Sequence, residues 1–397
     1  MSKIKVLVLS LDNDGVGYYR MNAPYLSLND PDIEVKFLSN SDFTFRFTEE
    51  VLKDFNVIVY HKGIPFREQQ NAANFPAIIK KYGIKIVFDI DDHWNLHHSH
   101  INYKNWKKNN SKEVTLNHIK SANYVTTTTP IFADEIRKVN PNVVVLENAV
   151  NHKEVQWTPN KVESDKTRFI WGGGISHKPD LQLLEDSFRT FDKDFLSKSQ
   201  MYMCGFDLRM KNADGGITMD NPQRSMWSVF ESIFTNRNRW IDSSEYMTWL
   251  RKYTDIERDI YGYNEDYKDN FYQRRWTKPI FLYGTMYNEA DVALAPLKDF
   301  GFNAVKSQLK VIEAGIHQMP VIASKMGPYT IDVEDGKHGF LIDESDKMGW
   351  KNKMKFFVDN PNAIKDMGMA LNELVLENYT LEKTNKKRAE FLKSIVN

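Results

Sequence analysis

The side chains best suited to chemistry lie in one run, Gly301-Phe302-Asn303-Ala304-Val305-Lys306-Ser307-Gln308-Leu309-Lys310-Val311-Ile312-Glu313-Ala314-Gly315. Plotted as a helix at about 100° per residue, Val305, Leu309, Ile312 and Ile316 form one apolar stripe, and Lys306, Lys310, Glu313 and His317 form a separate polar face. Free N–H groups at the helix start, the positive end of its dipole and two lysines together suit a diphosphate. Glu313, one to two turns deeper, has the chemistry to accept hydrogen bonds from ribose hydroxyls. Taken alone, such a helix reads first as an amphipathic helix with a solvated charged face. Its neighbours favour the ligand reading, because Met319-Pro320-Val321-Ile322-Ala323-Ser324 reads as a short buried strand opening into a Gly327-Pro328-Tyr329 turn.

Two glycine loops could face the same cleft. Phe169-Ile170-Trp171 runs into Gly172-Gly173-Gly174, where backbone amides can approach phosphate oxygens closely, and Lys178 just beyond adds charge. Gly15-Val16-Gly17 follows the first apolar run. A dinucleotide fingerprint needs a third glycine three residues later, and Arg20 stands there, so an NAD site is a poor reading. Arg20 is a candidate contact for a phosphate or a second substrate, with a structural role as the alternative. Asp89-Ile90-Asp91-Asp92-His93 closes another apolar run, and His97-His98-Ser99-His100 lacks the i, i+4 spacing with acids that marks a zinc site.

These residues need a scaffold. Short Val- and Ile-rich runs at 5–10, 33–38, 56–60, 85–90, 124–127 and 143–147 alternate with helical segments. They read as parallel strands covered on both faces. A polar stretch at 151–166 reads as a linker. A second series follows at 167–171, 200–204, 279–282, 292–295, 320–323 and 339–342. The expected architecture is α/β, with two doubly wound Rossmann-like domains facing a central cleft where ligands bind. The first domain covers 1–155 and the second 166–375, with an aromatic-rich insertion at about 207–276 and a terminal helix at 378–397. The insertion reads as extra helices on the second domain, or as a binding surface.

Length supports two cores: the chain has 397 residues, and single cores rarely grow past roughly 250–300. Balanced charge, 53 basic against 53 acidic residues, argues against a protein devoted to coating nucleic acid or anionic membrane. Cys204, the one cysteine, excludes an internal disulfide framework and a cysteine zinc site. No apolar stretch approaches the roughly 18 residues of a membrane span, so a cytoplasmic location is expected.

The run from Met286-Tyr287 through Ala290-Asp291-Val292-Ala293-Leu294-Ala295-Pro296-Leu297 to Gly327-Pro328-Tyr329 resembles the donor half of retaining GT-B glycosyltransferases. It is closest to family four, the glycosyl transferases group 1, in a subgroup with an Asn-x-x-Lys-Ser-x-x-Lys-x-x-Glu-Ala pattern. That resemblance implies a GT-B fold and an enzyme that moves a sugar from a UDP- or GDP-sugar co-substrate, with retention and without metal. It places Asn303, Lys306, Ser307 and Glu313 at the donor, with Glu313 on the ribose. The family's first glutamate is Val305 here, and Lys306 and Asn303 stand in near the phosphates. Gly15 and Gly17 face donor phosphates and sugar across the cleft, Gly173, Gly174 and Lys178 take the phosphates, and Tyr283 sits by the base. His177 and Asp180 match the family's His-x-x-Asp pattern. Asp91, Asp92 and His93 line the acceptor side. An Asp-x-Asp chelates manganese in the other large glycosyltransferase fold, but here it ends a buried strand, and no metal ligand is assigned. The catalytic set expected is Asp92, His93, Lys178 and Lys306. Lys310 ranks lower, because one turn carries it about 5–6 Å away.

The acceptor stays open: a glycan, a lipid or another small hydroxyl compound, or modified DNA bases, for which Tyr103, Lys104, Trp106, Lys107 and Lys108 offer a compatible groove. A sugar-nucleotide epimerase or hydrolase and a non-catalytic nucleotide-sugar binder are the competing readings.

Overall fold

The computed structural model describes residues 3–12, 15–39, 45–64, 69–206, 209–211, 217–219, 227–235 and 271–396. Within them, the Val/Ile runs of the first third form β1 (Ile4–Leu9), β2 (Ile33–Leu38), β3 (Val57–His61), β4 (Lys85–Asp89), β5 (Tyr124–Thr127) and β6 (Val143–Val145). They pair in parallel in the order β2-β1-β3-β4-β5-β6. All five residues of β3 are buried, as expected where helices cover both faces.

The second sheet contains β7 (Thr167–Gly172) and β8 (Ser199–Phe206). After the small antiparallel pair β9 (Arg209–Lys211) and β10 (Ile217–Met219) come β11 (Tyr272–Trp276), β12 (Val292–Ala295), β13 (Val321–Ser324) and β14 (Gly339–Ile342). Its order is β11-β8-β7-β12-β13-β14, again parallel. One expected strand is corrected. Residues 279–282 form a turn into the 3-10 helix Tyr283–Glu289, and the edge of the sheet is taken by β11 instead. Pro279 removes a ladder donor, whereas Tyr272 and Gln273 are buried against β8.

Of the aromatic-rich stretch, Trp240, Trp249, Tyr261, Tyr263 and Tyr267 lie outside the described residues. The helix Trp227–Thr235 packs Phe230, Ile233 and Phe234 into the second core, and Tyr272 donates to Glu231 at 2.9 Å.

The chain passes between the two sheets twice, and the two passages pair. Val150 N–H donates to the Tyr379 carbonyl at 3.1 Å, and Leu381 N–H donates to the Val150 carbonyl at 2.9 Å. The stretch expected to be a polar linker buries Trp157 among Tyr19, Ile312 and Val375. After the second passage the helix Leu381–Ser394 closes the first domain's core, setting Phe391 and Leu392 among Val6, Val8, Val57 and Val59.

Candidate active site

Each sheet has a point where strand order reverses, between β1 and β3 and between β7 and β12. Loops leaving the carboxyl ends of neighbouring strands diverge there, which opens a crevice. The two crevices face each other across a cavity of about 730 Å³. Gly15, Arg20, Asp91 and Asp92 line it from the first domain, and Gly173, Gly174, Lys306, Ser307, Lys310 and Glu313 from the second.

The run 301–315 is not one helix. A single turn, Gly301–Ala304, ends at Val305, and a regular helix starts only at Leu309 and runs to Ile316. Val305 is buried in the core cluster of the first domain, which accounts for an apolar side chain where the family has a glutamate. No side chain caps the helix Leu309–Ile316; Val311 and Ile312 N–H donate back to the Gln308 carbonyl, at 2.9 and 3.1 Å, which leaves the Leu309 and Lys310 amides at its start open to a ligand. Lys306 lies in the break, half-buried, 3.5 Å from Asp92 across the cleft. Lys310, in the first helical turn, bonds the Gly172 carbonyl and stands 5.7 Å from the centre of the Trp171 ring. Burial pulls its ammonium below the ordinary lysine range, opposed by the Glu313 carboxylate.

Glu313 is 2% exposed, and both its oxygens are engaged: Tyr19 donates to one at 2.6 Å and Tyr287 to the other at 2.8 Å. Burial pushes its carboxyl up, against Lys310 and the two hydroxyls. A carboxylate has about four lone-pair sites, so two hydroxyl donors leave acceptor capacity on Glu313. Tyr19 reaches Glu313 from the other domain because a π-turn, Tyr18–Asn22, follows the glycines. Gly17 makes that turn possible, since a Cβ there would lie 1.9 Å from the Asp12 carbonyl oxygen. Gly17→Ala is therefore expected to lower stability by about 1–3 kcal/mol, read as a lower urea midpoint. An unchanged midpoint would show that the loop has room to shift.

Several expected site residues lie elsewhere. Lys178 is exposed and does not line the cavity; His177, one residue earlier, does. Asn303 is buried and donates to Asp180 at 3.0 Å and to the Lys298 carbonyl at 2.9 Å, so it braces the loop after β12 and faces no ligand. His93 turns from the cleft, stacking on Trp94 with ring centres 4.4 Å apart and accepting the Asn95 N–H at 2.8 Å. Burial lowers its pKa. His317 stacks on Tyr287 and leaves the polar face expected for it.

Arg20 takes the structural alternative. It is 1% exposed and grips Asp89 with two bonds, at 3.0 and 2.7 Å, and it also donates to the Leu146 carbonyl at 2.5 Å. The Asp-x-Asp pair is spoken for as well: Asp89 by Arg20 and Thr126, Asp91 by His61 at 3.1 Å. Among the described residues, no three His, Cys, Asp or Glu side chains converge as a metal site. Tyr283 lines the cavity beside Pro279 and Ile280, giving one end of it an apolar wall.

Sequence reasoning did not bring Tyr19 and Tyr287 to Glu313, and it ranked Lys310, which lines the cavity, below Lys178, which does not. Adjacent tyrosines after a Gly-x-Gly were the only signal for Tyr19.

Comparisons with known proteins bear on the fold and on the second domain. Residues 251–360 match the family model Glycosyl transferases group 1. A segment of 89 residues is 30% identical to D-inositol 3-phosphate glycosyltransferase of Corynebacterium diphtheriae. That segment covers 22% of this chain and 20%, about a fifth, of the relative's length. Over 98% of this chain and all of the other, the fold matches HepE of Anabaena in complex with UDP and glucose, with a TM-score of 0.62 and 10% identity. Sucrose-phosphate synthase of Thermosynechococcus elongatus matches over 99% of both chains, with a TM-score of 0.62 and 13% identity.

Two facing parallel sheets with a cavity at both switch points define a GT-B protein. Residues 251–360, within the second domain, are similar to the glycosyl transferases group 1, in line with the resemblance read from the sequence.

Proposed function

We propose that this chain transfers a sugar from a nucleoside-diphosphate sugar to an acceptor hydroxyl, with retention and without a metal ion. The observation that carries the reading is the convergence of Lys306, Lys310, the uncapped start of the helix Leu309–Ile316 and Glu313 on one cavity at the switch points. HepE was solved with UDP and glucose, and the corynebacterial relative is a glycosyltransferase, which supports a nucleotide-sugar donor. Negative charge develops on the departing diphosphate in the transition state. Two lysines and oriented amides aimed at that charge lower the barrier without reorganising. The base sits on the Tyr283 wall and the ribose on Glu313. Asp92, half-exposed on the opposite domain beside Lys306, orients the acceptor hydroxyl. Partial desolvation in the cleft raises the Asp92 carboxyl, neighbouring Asp91 adds to the shift, and Lys306 opposes it.

A glycan, lipid or other small hydroxyl compound is the first reading of the acceptor. A polyanion such as modified DNA is the second. The helix Tyr103–Lys108 supports it: it has no buried residue and carries Lys104, Lys107 and Lys108 beside Tyr103 stacked on Trp106.

The test is a thermal-shift screen of UDP- and GDP-sugars on wild type and Glu313→Gln. At 100 times the dissociation constant, a donor stabilises by about 2.7 kcal/mol. A base-specific shift that weakens in the variant is expected. No shift with any nucleotide sugar overturns the reading.

A further inference from the structure

We propose that His177 and Asp180 form a dyad that takes up one proton as the donor diphosphate binds, so that His177 meets the phosphates as an imidazolium. This rests on the donor reading above and adds to it a residue that neither the lysines nor the glycine loop account for.

The dyad is built to hold one nitrogen and present the other. His177 Nδ1 lies 2.7 Å from Asp180 Oδ2. Asp180 is 4% exposed, and its other oxygen accepts from the Lys298 N–H at 2.8 Å and from Asn303 at 3.0 Å. Those N–H donors fix the carboxylate as an acceptor, so Nδ1 carries the hydrogen and Nε2 is the nitrogen left for a ligand. The ring is held in place too. A Cβ on Gly173 would lie 3.3 Å from His177 Cδ2, and the Trp171 ring stands edge-on with centres 6.2 Å apart. His177 lines the cavity between the glycine loop and the two lysines.

The charges facing it are Asp180 from its own turn and Lys306 and Lys310 from the segment opposite. Burial and the lysines outweigh Asp180 and hold the empty-site imidazole at about 4, so it is neutral near pH 7. A diphosphate arriving among these groups reverses the balance, because an opposite charge within about 4–6 Å raises a pKa by about 1–3 units. The signs then follow. The bound form has the higher pKa, so protons are taken up between the two values. Donor affinity rises as pH falls through that window, with no pH dependence from this group above the bound value.

Isothermal titration of UDP-glucose and GDP-glucose at pH 6, in buffers of different ionisation enthalpy, reads the exchange directly. Neither ligand has a group of its own that titrates near that pH, so any proton bound comes onto the protein. Uptake of several tenths of a proton in wild type is expected, and its loss in His177→Asn, which keeps a donor for Asp180. Binding with no buffer dependence in wild type overturns the dyad and leaves the donor reading standing, whatever the variant does. The same uptake in His177→Asn overturns it as well, by assigning the proton to another group. Failure of every UDP- and GDP-sugar of the thermal screen to bind overturns the dyad together with the donor reading.

Discussion

Lys310→Ala is expected to lower kcat/KM by about two to three orders of magnitude, while Lys178→Ala stays within about twofold of wild type. One preorganised donor aimed at developing charge is worth about 3–4 kcal/mol, which is that loss in rate. Lys310 is the lysine so placed. Its ammonium is held against the Gly172 carbonyl and the face of Trp171, in the first turn of an uncapped helix and on the cavity wall. Lys178 is exposed beyond the loop. Lys310→Arg recovers only part of the loss, because a planar guanidinium does not occupy the seat of a compact ammonium. The measurement is release of nucleoside diphosphate from the donor that binds in the thermal screen. The reverse ranking, with Lys178→Ala crippled and Lys310→Ala active, would falsify the site geometry.

Arg20→Ala is expected to unfold the first domain at a markedly lower urea concentration. Removing the guanidinium leaves Asp89 buried, 4% exposed, with Thr126 as its remaining side-chain hydrogen-bond partner among the described residues. Breaking a buried pair from one side costs about 3–5 kcal/mol. Set against a native stability of about 5–15 kcal/mol, that is a large fraction. Replacing both partners by apolar residues removes the stranded charge, so Arg20→Met with Asp89→Leu should recover much of the midpoint. If Arg20→Ala instead keeps the wild-type midpoint and loses only donor affinity, Arg20 is a ligand contact after all.

Local signals carried a good part of the architecture. Runs such as Val57–Val59 and Val321–Ala323 are apolar throughout because both faces are covered, and that is visible in the residues themselves. Glycines mark the loops after β1 and β7 for a similar reason: Gly17 and Gly173 sit where a Cβ would collide with backbone or a ring. The edge strand of the second sheet was misplaced because Pro279-Ile280-Phe281-Leu282 is as apolar as a strand. Only packing against β8 decides for Tyr272–Trp276.

By itself, then, the sequence determined the two parallel sheets, the glycine loops and the Lys-Lys-Glu run, each a matter of near neighbours and of period. Tertiary structure decided which of those side chains face the cavity. The helix starts at Leu309 because Val305 is drawn into the first domain's core and Gln308 is held by Tyr379 at 2.8 Å, both contacts with distant segments. Lys310 thereby stands in the first helical turn against the Gly172 carbonyl, while Lys306 lies in the break, 3.5 Å from Asp92, and both line the cavity. Arg20 is claimed by Asp89, 69 residues away, and Glu313 by Tyr19, 294 residues away. Periodicity reports which face of an element is apolar. It holds no record of which distant hydroxyl or carboxylate will arrive opposite the polar face, because folding alone brings the two together.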